Sequence, residues 1–114
     1  MPEGTIDHAV FSELRESLGA DFIVELVDTF LEEAPELIAQ LRPALDAGDV
    51  EKFRRAAHSL KTNAATFGAM PLQALAKELE FMARENRLGE VGDRIQRLED
   101  LFAHAAAELK GLLA

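Results

Sequence analysis

Residues 49–68 read DVEKFRRAAHSLKTNAATFG, and this stretch decides the fold. Val50, Phe53, Ala57, Leu60, Ala64 and Phe67 recur at steps of three and four, which places them on one face of a helix. Arg54, His58, Lys61, Thr62 and Ala65 fall on the other side. The helix therefore has a stripe to bury and an opposed stripe centred on a histidine. Arg54 precedes that histidine by four and Lys61 follows it by three, so both share its patch of surface. Ala57, Ser59, Thr62 and Ala65 are small, which leaves the His58 ring within reach of another molecule. Asp49 is a good N-cap, and Gly68 a stop.

Working outward, every other periodic segment is also helical. Towards the N-terminus, Ile23, Leu26, Val27, Phe30, Ala34, Leu37, Leu41 and Leu45 trace one long stripe from Ala20 or Asp21 to Ala47, with Asp21 as the cap and Gly48 as the end. Pro35 removes a backbone donor inside it. The periodicity continues past Pro35, which predicts a kinked single helix, with two shorter helices as the fallback. A short first helix, Ile6 to Leu18, carries Phe11, Leu14 and Leu18, with Thr5 as cap and Gly19 as terminator. Towards the C-terminus, Pro71 opens a helix to Arg84 with Leu72, Leu75, Leu79 and Met82 inward. Phe81 lies off that stripe and calls for a neighbour of its own, such as the first helix. After a connection at 85–89, Val91, Ile95, Leu98, Phe102, Ala105, Leu109 and Leu112 mark a last helix over 90–112. No strand pattern, repeat or linker interrupts this series. The expectation is an all-α chain, one domain over residues 1–114. Four helices form an antiparallel up-down bundle, and the short first helix covers one end or side.

The composition narrows the function. The chain has 114 residues and no cysteine, which excludes disulfides and thiolate chemistry. Neither a signal peptide nor a membrane span is visible, so a soluble cytoplasmic chain is expected. Acids outnumber bases 21 to 12, for a net charge of -9, a poor field for nucleic acid. Yet Lys52, Arg54, Arg55 and Lys61 lie in a run without an acid. Such a patch suits a small anion or an acidic protein surface.

An exposed histidine beside two cations suits phosphoryl chemistry. A free imidazole titrates near pH ~6.5, so its neutral form is a good nucleophile at neutral pH. One ring nitrogen attacks phosphorus while the other keeps its proton, and nearby cations offset the charge on the phosphoryl oxygens. Lys61 is the better placed of the two, because its stem can fold over the ring edge; Arg54 is second. No glycine-rich phosphate loop is present, so the phosphoryl group must come from a donor protein. His8 and His104 lie in other regions, and no Glu-x-x-His pair supplies a bundle metal site. No metal and no cofactor is expected. His104 flanks the last stripe, as a partly buried packing residue.

At residues 56–80, AAHSLKTNAATFGAMPLQALAKELE, the chain closely resembles the histidine-containing phosphotransfer (HPt) domain family. The match consists of Ala57-His58-x-Leu60-Lys61, then Gly68-Ala69, then Leu72, Leu75 and Leu79-Glu80. Residues 18–45 also look like the family's second helix. The resemblance implies a four-helix bundle with a phosphorylatable histidine at His58. That residue would exchange its phosphoryl group with aspartates on receiver domains, including the receiver of a hybrid histidine kinase. It implies that Lys61 supports the phosphorylated ring, and that Glu80 stands where family members carry a residue bonding the other imidazole nitrogen; a solvated helix acid is the alternative for Glu80. Any magnesium would belong to the receiver. The sequence departs from the family at Thr62, where glycine usually follows the motif lysine. A threonine there narrows access to the ring, or offers a hydroxyl to a phosphoryl oxygen. A second reading stays open: a non-catalytic bundle that docks partners or receivers without transfer. In either case a monomer is expected, since the bundle can bury its own stripes.

Overall fold

The computed structural model describes residues 6–113, and these form five α-helices and one 3-10 turn. In chain order they are α1 (His8–Leu18), α2 (Ala20–Ala47), α3 (Val50–Thr66), α4 (Met70–Arg84), the 3-10 turn Leu88–Glu90, and α5 (Arg94–Leu113). Contacts run from α2 to α3, α3 to α4, α4 to α5 and α5 back to α2, which closes a four-helix ring. Short turns join the ring's successive helices, so neighbours run antiparallel. The architecture is the all-α bundle with an added N-terminal helix that the periodicity predicts. Among the described residues, no helix is long and apolar enough to cross a membrane.

The long helix α2 sets the scale. Its 28 residues amount to about 42 Å of helix, and the molecule's longest dimension is 42 Å. Pro35 and Pro43 both lie inside it, so the single helix prevails over the two-helix fallback. It starts from Gly19 rather than from a side-chain cap at Asp21, which instead occupies the first turn. There its charge meets the positive end of the helix dipole. At the other end Gly48, at φ 69, donates its N–H to Ala44 and Leu45 carbonyls. That left-handed conformation is cheap only for glycine.

Each helix buries one stripe. Ile23, Val27, Phe30, Ala34, Ile38 and Leu41 of α2 meet Phe53, Ala56, Ala57, Leu60 and Ala64 of α3 and Leu72, Leu75, Ala76 and Leu79 of α4 in one core. Ile38 replaces Leu37 as the fully buried residue of its turn, and Leu37 is half-buried. Phe30 holds the centre of an aromatic group, with ring centroids 4.9 Å from Phe67 and 5.7 Å from Phe102. Both spacings suit tilted aromatic contact.

The ends differ from the expected boundaries for local reasons. The N-cap of α1 is Asp7, whose Oδ1 accepts from Ala9 and Val10 N–H; Thr5 lies outside the described residues. Ile6 precedes the helix and is buried. The last helix begins at Arg94 rather than at Glu90, because Gly92 turns the chain at φ 58. Val91 still fills the core from outside the helix. Two expected packing residues do not pack. Phe81 is half-exposed, since α1 sits at the far end of α4, where Asp7 N–H donates to Gly68 O. His104 is exposed.

α1 is held across that end by a few contacts. The Ile6 N–H donates to Glu108 Oε1 at 3.2 Å, His8 Nε2 lies 2.6 Å from Glu108 Oε2, and Arg15 donates to Leu112 O. Gly68, at φ 76, makes the close approach possible. A Cβ there would stand 2.9 Å from Val10 Cβ and 3.0 Å from Asp7 O.

Two substitutions test this arrangement. Leu60 has no exposed surface, so Leu60→Asp should cost more than about 4 kcal/mol and abolish the cooperative thermal melt. Ser59→Asp, on the exposed neighbour, should leave the melt nearly unchanged. Gly68→Ala should cost about 1–3 kcal/mol through its positive φ and the clash with α1. Amide exchange should then accelerate in α1 more than in α3.

Candidate functional site

The tight Gly68 turn brings α4 back along α3, so a side chain 22 positions after His58 returns to its level. That side chain is Glu80. It occupies an inward position on α4 beside Ala76 and Ala83, and its carboxylate is 4% exposed. A buried carboxylate needs donors for its lone pairs. Glu80 has three. Lys61 Nζ lies 2.7 Å from Oε1. His58 Nδ1 lies 2.9 Å from Oε2, and Arg84 Nη2 lies 3.1 Å from the same oxygen. Among the described residues, no buried side-chain polar atom lacks a partner.

These contacts set the protonation pattern. Burial is the largest single influence on Glu80 and pushes its pKa up. The hydrogen bonds from Lys61 and His58, with the charges behind them, together outweigh burial and hold the carboxyl below 4.5. Glu80 is therefore ionised at neutral pH and can only accept hydrogen bonds. The proton between it and the ring belongs to His58 Nδ1, and in the neutral ring the lone pair is then on Nε2. The side chain of His58 is 54% exposed, and Nε2 makes no hydrogen bond among the described residues. The geometry presents one nucleophilic nitrogen to solvent on a ring fixed from behind.

The other predicted residues fall in two groups. Lys61 is close by but occupied, its ammonium bound to Glu80 and its side chain 26% exposed. Arg54 turns away. Its guanidinium grips Glu51 one turn back, at 2.6 and 3.3 Å, and that bond raises its pKa. Glu51 also reaches Arg55 at 3.8 Å. The cationic run is thus partly neutralised by the acid just ahead of it, and Arg54 reaches the site through its field alone. The Thr62 hydroxyl donates to the His58 backbone carbonyl at 3.1 Å. That bond commits the hydroxyl's proton to the helix.

Arg84 is the site residue the sequence reading missed. Its signal was present: an acid followed four residues later by arginine on one helix is a standard ion-pair spacing. The burial of Glu80 was also readable, since it lies on the edge of the Ala76–Leu79–Ala83 face.

Comparison with known proteins gives the family. The crystal structure of histidine-containing phosphotransfer protein B from Pseudomonas aeruginosa superposes with a TM-score of 0.91 at 32% identity, covering 98% of this chain and 96% of that one. The phosphorelay protein LuxU of Vibrio vulnificus is 30% identical over 92 residues, 81% of this chain and 75% of LuxU. The multistep phosphorelay regulator 1 of Schizosaccharomyces pombe is 32% identical over 78 residues, 66% of this chain and 26% of that longer protein. The family model for the Hpt domain matches residues 25–108. That span runs from the first turns of α2 almost to the end of α5 and contains His58 and the partners of Glu80, and the chain belongs to the Hpt domain family.

Proposed function

We propose that His58 Nε2 is the atom that carries the phosphoryl group. A member of this family is a phosphorelay intermediate that works with receiver domains; the proposal concerns how this chain does so. The observation that carries it is the His58–Glu80 pair, a half-exposed ring whose Nδ1 is bound at 2.9 Å by a buried carboxylate. The lone pair of Nε2 attacks phosphorus of a receiver's aspartyl phosphate. The N–P bond forms as the P–O bond to the aspartate breaks, and the aspartate leaves as a carboxylate. The ring becomes positively charged as Nε2 gives up its lone pair, and Glu80 stabilises that charge through the Nδ1 proton. Return transfer to a second receiver reverses each of these changes. Lys61 is taken as the cation that turns to the phosphoryl oxygens. Arg54 lends support through its field, and Thr62 shapes access to the ring. We further take the whole chain to act as one domain, a cytoplasmic monomer, with a hybrid kinase receiver among its donors.

The test is transfer from a panel of phosphorylated receiver domains to wild type and to His58→Gln. Wild type should gain a label that survives base and is lost in acid, and His58→Gln should gain none while melting like wild type. Glu80→Ala should slow transfer about 10- to 100-fold, the kinetic equivalent of one charged hydrogen bond. Receiver binding without transfer by folded wild type would overturn the proposal in favour of a docking module.

A further inference from the structure

Glu80 has three partners, and phosphorylation makes a rival demand on one of them. A phosphoryl group on His58 Nε2 brings about -1.5 to -2 charges and three strong acceptor oxygens. Lys61 carries its ammonium on a flexible stem, only 2.7 Å from Glu80 Oε1. Turning it toward the phosphoryl oxygens removes a counter-cation from Glu80 while negative charge arrives nearby. A nearly buried carboxylate in that position is driven towards protonation. Once protonated it is no longer an obligate acceptor for Nδ1–H, and the ring loses its fixed orientation.

Arg84 answers this demand. It bonds Oε2, the same oxygen that holds His58 Nδ1. It stands four residues after Glu80 on α4 itself, so its place does not depend on what Lys61 of α3 does. Its guanidinium stays charged at any working pH. We propose that Arg84 is a positioning residue for the transfer reaction. It keeps Glu80 ionised, and so keeps the His58 ring set with Nε2 outward, while Lys61 serves the phosphoryl group. This rests on the reading of His58 as the phosphoryl carrier.

The charged groups facing Glu80 are His58 and Lys61 from α3, Arg84 from its own helix and, through its field, Arg54. Arg94 of α5 is engaged with Glu78 instead. With its pKa depressed, Glu80 is a full acceptor above pH 4.5 and loses that role as pH falls through the lowered value. Removing cations moves the loss to higher pH.

The experiment follows the Glu80 side-chain carboxyl by carbon-13 NMR in the unphosphorylated full chain. Wild type is compared with Lys61→Met, Arg84→Met and the double variant, with circular dichroism to check that each is folded. Lys61→Met keeps the Arg84 and His58 hydrogen bonds to Glu80 and should titrate below the double variant. The double variant leaves the His58 hydrogen bond alone against burial and should titrate at least about one pH unit above Lys61→Met. In transfer from a phosphorylated receiver, Arg84→Met should be about two- to five-fold slower than wild type, as a half-exposed ion pair supports. Its acid limb should move to higher pH, and Arg84→Lys should recover both. Coincident titrations of the double variant and Lys61→Met overturn the inference, as does a wild-type pH profile for Arg84→Met. Transfer by wild type in the same assay separates the cases, because its absence defeats the His58 reading itself.

Discussion

The site depends on one buried carboxylate. Taking a charge out of water is costly unless every lone pair finds a donor. Glu80 meets that condition only if α3 and α4 pack at one register, with His58 and Lys61 level with it. The apolar stripes around it enforce the register: Leu60 on α3 and Leu79 on α4 are fully buried, and each is within two residues of a member of the polar cluster. Hydrophobic burial supplies the bulk of the stability, and the polar cluster is fully satisfied in the register that the stripes set.

The same carboxylate converts a surface histidine into a directed one. A free ring on a helix samples several rotamers and both tautomers. Bonded to Glu80, it has its proton on Nδ1 and its lone pair on Nε2, facing outward. Thr62 bears on this too. Where the family usually has glycine, this chain has a branched residue, but its hydroxyl folds back onto the His58 carbonyl. The departure thus adds a branched side chain one turn from His58 without adding a free hydroxyl donor.

Much of this was legible in the sequence because both fold and site follow from helical periodicity. The stripe of residues 49–68 placed His58 opposite the core, and the proline and glycine punctuation gave the element order. The failures share a cause: they depend on which helix lies beside which. Phe81 was assigned a neighbour that lies at the other end of α4, and His104 a burial it lacks. Arg54 was grouped with His58 by spacing, yet its nearest acid, Glu51, lies one turn in the opposite direction. The start of α5 moved because Gly92 adopts a left-handed turn, which periodicity cannot register. Arg84 was missed because Glu80 was read only for its bond to the imidazole, with a solvated acid as the alternative, and not as a buried carboxylate in need of further donors. A carboxylate at an inward position asks for cations, and a search for them among residues three and four away would have found it.

A relay must both accept and release its group, which restricts how strongly any one residue can hold the phosphorylated state. A cation bound only to the phosphoryl group would deepen that state and slow release. Here Lys61 has an alternative partner in Glu80 at 2.7 Å, so its attraction to a phosphoryl group is offset by the ion pair it gives up. The difference between the two states is smaller than either interaction alone. Glu80 is balanced in the same way: it stabilises positive charge on the ring, which favours forming the N–P bond, and an imidazole that carries such charge is also the better leaving group when the bond breaks. Under the proposed role of His58, the cluster lowers the barrier in both directions rather than favouring one end of the transfer.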